Sequence, residues 1–323
     1  MKDKKQGMKD EDIRSKKFTS LKSKAKKSEF FVDLLNLVTT KCLSLGIEEQ
    51  NAVLITFETL WLPIALNLAT ARQQSDRTFV QGILGGQGTG KTTLCIILKL
   101  ILNYLGFSVA SLSIDDIYLT YAEREQLKLQ DSHLTWRGPP GTHDVNLGLQ
   151  TIEQCLQSDY DTDILMPRFD KSAYNGSGDR TNPEAIKKPD ILLFEGWFVG
   201  VKPIAKDCFD NCPHPIITAE DRQFAKDNNQ RLQAYLPLWD KLDSLIILYP
   251  EDYRLSRQWR KDAERKMMAM GKAGMSDKEI DRFVEYFWQA LHPELFIKPL
   301  LKSADLVVEI KSDRSLGRIN WQK

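Results

Sequence analysis

The sequence predicts an α/β protein, a three-layer sandwich in which helices flank a mostly parallel sheet. Three observations support this prediction. An apolar run at residues 79–84 leads into a glycine-rich loop, and the loop leads into an apolar helix predicted at residues 91–104. Short apolar runs then alternate with helix-length segments along the rest of the chain. Strands that alternate with helices are typical of βαβ units and therefore of parallel sheets.

Hydrophobic periodicity places the individual elements. Apolar residues at helical spacing predict two N-terminal helices, at residues 30–45 and 48–72, which form an extension before the sheet. The predicted strands are residues 79–84, 107–114, 164–166, 190–194, 245–248 and 306–309. The later predicted helices are residues 91–104, 143–157, 251–271 and 276–302. Irregular segments, rich in glycine, proline and polar residues, are predicted at residues 131–142, 167–183 and 203–219.

The charge of the chain is concentrated at one end. The 323 residues carry a net charge of +1, yet residues 1–27 carry +7 and the other 296 residues carry −6. This lysine-rich segment has few large apolar side chains, so we expect a disordered basic arm. Contact of the arm with nucleic acid or a membrane is the alternative. The rest of the chain is predicted to divide into the helical extension, residues 28–75, and a main domain, residues 76–323.

The sequence predicts a cytoplasmic protein without a membrane span. No apolar run approaches the roughly 18 residues that a spanning helix needs, and the longest candidate, residues 94–102, is broken by Lys99. No apolar core follows the basic arm at the distance expected of a signal peptide. The five cysteines are scattered and odd in number, which fits a reducing compartment better than a disulfide framework.

A phosphate-binding motif follows the first predicted strand. Residues 85–92 read GGQGTGKT and fit the pattern GxxxxGK[ST]. In this pattern glycines let backbone N–H groups turn toward phosphates, Lys91 neutralises the β- and γ-phosphate oxygens, and the Thr92 hydroxyl coordinates Mg²⁺. The motif therefore predicts Mg–ATP binding and a fold of the P-loop NTPase type. The predicted nucleotide-binding residues are Gly85, Gly86, Gln87, Gly88, Thr89, Gly90, Lys91, Thr92 and Thr93.

Acidic residues end two of the predicted strands. Asp115 and Asp116 follow the strand after the phosphate-loop helix, and Glu195 follows the apolar run 190–194. Phosphoryl transfer needs one acid near the metal and another near the acceptor hydroxyl. Because ligands gather at the carboxyl ends of parallel strands, both positions are expected beside the phosphates. A turn or helix cap is the alternative for Asp115.

Five segments together resemble the D-glycerate 3-kinases of plants, cyanobacteria and fungi, within the wider group of phosphoribulokinase, uridine kinase and pantothenate kinase. The resemblance extends from about residue 79 to residue 310. The phosphate loop alone is generic, whereas the other four segments are more specific. The segments are GGQGTGKTT at 85–93, SIDDIYLT at 113–120, RGPPGTHD at 137–144, PRFDKSAYNGSGDR at 167–180 and FEGW at 194–197.

The resemblance implies roles for the acidic strand ends. Asp115 occupies the position of the general base that takes the proton of the acceptor hydroxyl, and Asp116 is the alternative. A carboxylate with an ordinary pKa of about 4 is ionised at neutral pH and can accept that proton late in a loose transition state. Glu195 would hold Mg²⁺ directly or through water, and Thr92 and Asp115 are the other candidate ligands.

The resemblance also implies an anionic acceptor, D-glycerate, whose carboxylate requires a cation. Cationic and polar residues in the loops beside the core strands are the candidates. The RGPPGTHD loop ends at a predicted helix start, where backbone N–H groups also attract anions. A loop salt bridge or a surface charge is the alternative for each residue. The predicted acceptor residues are Arg137, His143, Asp170, Lys171 and Arg180.

A basic segment follows the strand at 245–248. In the resembled kinases this region is a lid whose arginines close on the phosphates, and the predicted lid spans about residues 251–275. Spacings of three place Arg254, Arg257 and Arg260 on one helical face. Arg257 and Arg260 are predicted to neutralise charge on the γ-phosphate. A solvated face paired with acidic residues is the alternative.

These observations predict an ATP- and Mg²⁺-dependent kinase that phosphorylates a hydroxyl of a small organic acid, D-glycerate, to give 3-phosphoglycerate. A kinase for a nucleoside, pantothenate or a sugar phosphate is one alternative. A nucleotide-dependent ATPase or nucleic-acid-binding protein that uses the basic arm is another. The expected partner is a small molecule rather than nucleic acid or a membrane, and the sequence leaves the oligomeric state open.

Overall fold

A computed structural model describes residues 24–322, apart from residues 158, 160, 270, 272 and 273, with side chains from residue 29 onward. Residues 1–23 of the predicted basic arm lie outside the described residues. The helices are α1 (Lys24–Ser44), α2 (Gln50–Gln73), α3 (Lys91–Tyr104), α4 (Tyr121–Gln130), α5 (Val145–Gln157), α6 (Ala219–Arg231), α7 (Leu236–Trp239), α8 (Leu255–Ala269), α9 (Asp277–Ala290) and α10 (Pro293–Phe296). The strands are β1 (Phe79–Gly85), β2 (Val109–Ser113), β3 (Ile164–Asp170), β4 (Asp179–Ile186), β5 (Ile191–Gly196), β6 (Ser244–Pro250), β7 (Leu306–Ile310) and β8 (Leu316–Trp321).

The central sheet confirms the predicted fold class. Its six strands lie in the order β2-β5-β1-β6-β7-β8, and the sheet is mostly parallel with flanking helices. β1 runs parallel to β6 and β6 parallel to β7, whereas β8 pairs with β7 in the antiparallel direction. β1 and β5 are buried along nearly their whole length. Their sequences are therefore continuous apolar runs rather than alternating ones.

The chain divides into two compact units. The first consists of the described parts of Met1–Phe79, Thr92–Ala110 and Pro189–Leu192. The second consists of the described parts of Val80–Lys91, Ser111–Lys188 and Leu193–Lys323. In the first unit, aromatic contacts join α1 to its neighbours. Phe31 meets Phe57 of α2 edge-on at a ring distance of 5.3 Å, and Phe30 lies 5.5 Å from Tyr104 of α3.

A buried carboxylate ties together distant segments of the first unit. Asp190 is fully buried, and its Oδ1 lies 3.1 Å from Nη2 of Arg72 at the end of α2. Its Oδ2 accepts hydrogen bonds of 2.8 Å from both the backbone N–H and the hydroxyl of Ser108. Because Asp190 is fully buried, its carboxylate depends on Arg72 and Ser108 for its hydrogen bonds.

Residues 167–183 are not the irregular loop that the sequence predicted. β3 continues to Asp170 and β4 begins at Asp179, and the two strands form an antiparallel hairpin. β4 is largely exposed and contains Pro183, so neither apolar alternation nor β-propensity marks it as a strand. β4 is a strand because its backbone pairs with that of β3. The hairpin carries several residues of the candidate active site.

The predicted helix at 276–302 is wrong in its second half. α9 ends at Ala290, and Leu291 has non-helical dihedrals of φ −141° and ψ 87°. His292 is extended because it precedes Pro293, and a proline disfavours helical backbone in the residue before it. The chain resumes as the short α10, followed by a 3₁₀ turn at Pro299–Lys302.

The sequence pattern does not predict α4, α6, the short α7 or the edge strand β8. Capping boxes start two of these helices: Thr120 with Glu123 at α4, and Thr218 with Asp221 at α6. The Thr-x-x-Glu spacing before α4 is a visible start signal in the sequence. β8 is polar and mostly exposed, so its sequence gives no comparable signal.

α2 is the helix most similar to a membrane span. Over Gln50–Gln73 it is long and apolar enough to cross a membrane, with a mean hydropathy of 1.6, and 44% of that apolar window is buried in the protein. A core helix of a globular protein passes the same test. The expectation that no apolar run approaches the length of a span is therefore wrong for α2 by length and composition, although Glu58 and Asn67 interrupt its apolar sequence. The absence of a membrane partner therefore stays a prediction.

Replacing Asp190 with alanine should destabilise the protein strongly. The change removes the fully buried partner of the largely buried Arg72, and the loss of one partner of a buried ion pair costs about 3–5 kcal/mol of unfolding free energy. Urea unfolding followed by circular dichroism measures the loss. Asp163→Ala is the control, because Asp163 pairs with Lys187 at 2.9 Å on the surface, and its loss should cost at most about 1 kcal/mol. Equal losses in the two variants would contradict the role given to Asp190.

Candidate active site

The glycine-rich loop connects β1 to α3 and folds back on itself. Gly88 and Gly90 have φ angles of +80° and +89°, a region that glycine adopts without steric cost. The Thr89 hydroxyl donates to the carbonyl of Gly86 at 2.9 Å, and Lys91 Nζ donates to the same carbonyl at 3.1 Å. The lysine of the motif thus lies over the loop where phosphates are expected.

The remaining residues of the motif fit a tightly closed loop. A Cβ added to Gly85 would lie 2.5 Å from the Thr89 hydroxyl, so only glycine fits there without a shift. Gln87 Oε1 is buried and has no hydrogen-bond partner among the described residues. Thr92 and Thr93 lie in the first turn of α3, whose backbone N–H groups have no partner within the helix. This arrangement suits a phosphate chain.

α8, in the predicted lid, packs directly on the phosphate loop. A Cβ added to Gly88 would lie 2.8 Å from Cβ of Trp259, which is buried. The indole N–H of Trp259 donates to the carbonyl of Ser312 at 3.2 Å. The lid segment is therefore in contact with the loop through an apolar side chain rather than through its arginines.

The two predicted lid arginines have acidic partners. Arg257 Nη2 lies 2.7 Å from Glu285 of α9, and its guanidinium carbon lies 5.0 Å from the centre of the Trp288 ring. Arg260 pairs with Glu264, one turn further along α8. This pairing is the alternative that the sequence left open. A role of these arginines at the γ-phosphate stays a prediction.

Two adjacent aspartates follow β2, and they make different contacts. Asp116 Oδ2 accepts a hydrogen bond of 2.9 Å from the backbone N–H of Ser113 and lies 3.3 Å from Nη1 of Arg168. Burial raises the pKa of Asp116, and the contacts with Ser113 and Arg168 only partly oppose this shift. Asp116 therefore caps the turn after β2, which favours Asp115 as the reactive carboxylate.

Asp115 is kept ionised by a lysine from the β3–β4 hairpin. Lys171 Nζ lies 2.6 Å from Asp115 Oδ2. Burial alone would raise the pKa of Asp115, but the charge and hydrogen bond of Lys171, together with a hydrogen bond from Tyr118, hold the pKa below its ordinary value. Asp115 is therefore a carboxylate at neutral pH. Lys171, which was predicted to contact the acceptor, contacts the candidate base.

Glu195 lies close to both the phosphate loop and Asp115. Burial raises the pKa of Glu195; the charge of Lys91 opposes the shift and the charge of Asp115 adds to it. Both electrostatic effects require that the three side chains lie near one another. Glu195 thus occupies the place expected for an acid at the end of this strand.

Asp115 and Glu195 supply the hard oxygen donors that Mg²⁺ prefers. In the described part of the chain, no three His, Cys, Asp or Glu side chains gather as a metal site. A Mg²⁺ ion held by these two carboxylates would therefore take its other ligands from phosphate oxygens, hydroxyl groups and water. Mg²⁺ bound with a nucleotide characteristically keeps such ligands.

Arg137 carries a positive charge with no carboxylate partner among residues 24–322 as described. Its guanidinium carbon lies 6.0 Å from the ring centre of Tyr118 and 5.6 Å from that of Phe169. Nη1 donates to the carbonyl of Gly176 at the tip of the hairpin, at 2.5 Å. The guanidinium is half-buried beside the ring whose hydroxyl contacts Asp115. It is therefore available to an anionic acceptor.

His143 is a buried, neutral side chain next to the same ring. It is 5% exposed and stacks on Tyr118 with ring centres 4.5 Å apart. Nδ1 lies 2.8 Å from the hydroxyl of Tyr235, whereas Nε2 is buried without a hydrogen-bond partner among the described residues. Burial lowers the pKa of His143 to about 3, so the imidazole is uncharged at neutral pH.

The other two predicted acceptor residues have protein partners. Arg180 Nη2 lies 2.8 Å from Asp144, and its Nε donates to the carbonyl of Tyr118 at 2.8 Å. Asp170 accepts hydrogen bonds from the backbone and hydroxyl of Ser172, at 2.9 and 2.6 Å. Arg180 thus fixes the hairpin to the site, and Asp170 caps the turn. Contact of either residue with an acceptor stays a prediction.

Known proteins share this architecture. Over 253 residues, 74% of this chain, the sequence is 33% identical to the chloroplastic D-glycerate 3-kinase of Arabidopsis thaliana, and it spans only 54% of that protein. It is 32% identical over 256 residues to the probable ATP-dependent kinase TDA10 of Saccharomyces cerevisiae, covering 72% of this chain and 84% of that protein. The solved D-glycerate 3-kinase of Cryptococcus neoformans has a TM-score of 0.71 at 27% identity, with 80% of this chain and 96% of that chain covered. No family model matches the chain.

The chain belongs to the kinase family that includes TDA10, and it is similar to D-glycerate 3-kinases.

The sequence did not predict three residues of the site, which are Tyr118, Arg124 and Tyr235. Tyr118 lies inside the SIDDIYLT segment that carries the family resemblance, so a signal was available. Arg124 is buried in α4 and donates to the carbonyls of Ser177 and Gly178 at 2.7 and 2.5 Å, which holds the hairpin tip. Tyr235 lies in a stretch without any motif.

Proposed function

We propose that this protein is a D-glycerate 3-kinase, an ATP-dependent kinase that transfers the γ-phosphoryl group to a hydroxyl of D-glycerate and gives 3-phosphoglycerate. The observation that carries the proposal is the ionised carboxylate of Asp115, paired with Lys171 and electrostatically coupled to Glu195. Glu195 in turn is coupled to Lys91 of the phosphate loop. A base, an acid for the metal and a phosphate-binding lysine are the parts that phosphoryl transfer requires.

Asp115 acts as the general base. It accepts a hydrogen bond from the acceptor hydroxyl and takes its proton as the new O–P bond forms. Lys91 stabilises the negative charge on the phosphate oxygens, and Glu195 is the carboxylate positioned to hold Mg²⁺, with Thr92 as a further ligand. When bound, Mg²⁺ neutralises charge on the phosphates and orients them.

Recognition of D-glycerate rests on Arg137. Its guanidinium has no carboxylate partner in the described chain, whereas Arg168, Lys171 and Arg180 each pair with an aspartate. An Arg fork binds a carboxylate with two parallel hydrogen bonds, which matches a small hydroxy acid. The relatives named D-glycerate 3-kinase support this acceptor over a nucleoside or a sugar phosphate.

A cytosolic location is part of the proposal. All five cysteines are free thiols, and Cys42, Cys95 and Cys155 are buried. Free thiols of this kind persist in a reducing compartment.

ADP release with Mg–ATP and a panel of acceptors tests the proposed function. The panel contains D-glycerate, L-glycerate, uridine, pantothenate and ribulose 5-phosphate. We expect strong stimulation by D-glycerate and little ADP release without an acceptor. If only another compound of the panel stimulates ADP release, that compound is the acceptor and D-glycerate is not. Rapid ATP hydrolysis that no acceptor changes would instead indicate an ATPase and contradict the proposal.

Asp115→Asn should abolish transfer without weakening nucleotide binding. The amide cannot take the proton of the hydroxyl, so kcat should fall about 10²- to 10⁴-fold. Calorimetric titration with ATP should give a nearly unchanged Kd. Asp116→Asn is the matched control, since its amide oxygen can still accept from Ser113, and it should keep most of the activity. If Asp116→Asn loses more activity than Asp115→Asn, the base is Asp116.

Lys171→Met should make the enzyme more sensitive to acid. Lys171 lowers the pKa of Asp115, so its removal lets burial raise that pKa. The base must be ionised, and activity is therefore lost as pH falls through this pKa. The acid limb of the pH profile of kcat/KM should move to higher pH in the variant. An acid limb at the wild-type position would show that Lys171 does not control the ionisation of Asp115.

A further inference from the structure

Tyr235 is a buried side chain that the proposed chemistry does not use. It ends the 3₁₀ turn Leu232–Tyr235 and is fully buried. Its ring meets Phe198 edge-on at 5.2 Å and stacks on Trp239 at 5.9 Å. These contacts fix the ring, and with it the position of the hydroxyl beside His143.

The surroundings of the Tyr235 hydroxyl indicate which atom donates and which accepts in each of its hydrogen bonds. The backbone N–H of Gly141 donates to Tyr235 Oη at 2.9 Å, and His143 Nδ1 lies 2.8 Å from the same oxygen. Burial raises the pKa of Tyr235, although hydrogen bonds from the backbones of Gly141 and His143 oppose the shift, so the phenol stays protonated. Its proton needs an acceptor, and in the described chain Nδ1 is the acceptor within reach.

The tautomer of His143 follows from this direction. If Tyr235 donates to Nδ1, the imidazole carries its single hydrogen on Nε2. The opposite tautomer would place an Nδ1–H against an oxygen that already accepts from backbone. It would also leave the buried phenol proton unbonded, which is costly.

Nε2 of His143 has no hydrogen-bond partner among the described residues. It is buried, and the imidazole stacks on Tyr118, whose hydroxyl contacts Asp115. The charge of Asp115 also acts on His143, which places the imidazole near the base. A buried donor without a partner next to the base is a position for an oxygen of the acceptor.

We propose that Tyr235 is a positioning residue that holds His143 as the Nε2–H tautomer, and that this N–H donates to an oxygen of the bound hydroxy acid. The inference rests on the proposed function and adds a specificity element to it. A neutral donor binds an oxygen without adding a further cation to a site that already contains Lys171 and Arg137. The site therefore separates charge recognition, at Arg137, from hydrogen-bond recognition, at His143.

The tautomer can be measured in the free protein, independently of turnover. The chain has only four histidines, so ¹⁵N-histidine labelling with two-bond ¹H–¹⁵N correlation spectra gives a resolvable set, and the signal missing in His143→Gln assigns His143. We expect the Nε2–H pattern at neutral pH. An Nδ1–H or doubly protonated pattern would overturn the proposal. A wild-type enzyme that ignores D-glycerate would overturn the proposed function, and the tautomer result would not depend on it.

The kinetics of Tyr235→Phe test whether the tautomer of His143 affects the binding of D-glycerate. The variant keeps the ring and removes the proton that fixes the tautomer. KM for D-glycerate should rise about three- to tenfold, the scale of one hydrogen bond, while KM for ATP stays unchanged. Tyr286→Phe is the control, because Tyr286 is 8% exposed and its hydroxyl bonds the carbonyl of Trp136 instead. Equal effects of the two variants, or none for Tyr235→Phe, would contradict the proposal.

Two substitutions of His143 distinguish a donor at Nε2 from general packing. The amide nitrogen of glutamine reaches the position of Nε2, whereas that of asparagine reaches only the position of Nδ1. His143→Gln should therefore retain more affinity for D-glycerate than His143→Asn. The reverse order would show that the Nε2 donor has no role in binding.

Discussion

The ion pair between Asp115 and Lys171 is the interaction on which the site depends. The carboxylate of Asp115 at the end of β2 is partly buried, and burial favours its neutral form, which cannot act as a base. The lysine reverses this preference at a distance of 2.6 Å. Because Lys171 lies at the tip of the β3–β4 hairpin, the ionisation of Asp115 depends on where that hairpin is held.

Buried and half-buried arginines hold the hairpin in place. Arg124 donates to carbonyls at its tip, and Arg180 bonds both the carbonyl of Tyr118 and the carboxylate of Asp144. Arg168 at the same time pairs with Asp116. Cations and aspartates on this side of the site thus neutralise one another in pairs. Arg124 and Arg137 have no carboxylate partner among the described residues, but Arg124 is buried and donates to backbone carbonyls. The half-buried Arg137 is therefore the best candidate to receive an anionic acceptor.

The fold was largely predictable, and the site was predictable in part. Continuous apolar runs mark buried strands, and the bounds of α3 follow from the motif before it and from its apolar periodicity. The phosphate loop, Asp115 and Glu195 are local features of strand ends, so sequence locates them. β4 and Tyr235 were missed because their roles arise from partners distant in the chain. β4 is a strand through pairing with β3, and Tyr235 acts on a histidine 92 positions away.

The role of Asp115 as the base can be tested in a structure of the complex with Mg²⁺, a non-hydrolysable ATP analogue and D-glycerate. We expect a hydroxyl of D-glycerate within about 2.6–3.2 Å of a carboxylate oxygen of Asp115. We also expect the glycerate carboxylate on the guanidinium of Arg137. A glycerate hydroxyl bonded to Asp116, or an acceptor bound away from both Asp115 and Arg137, would contradict these expectations.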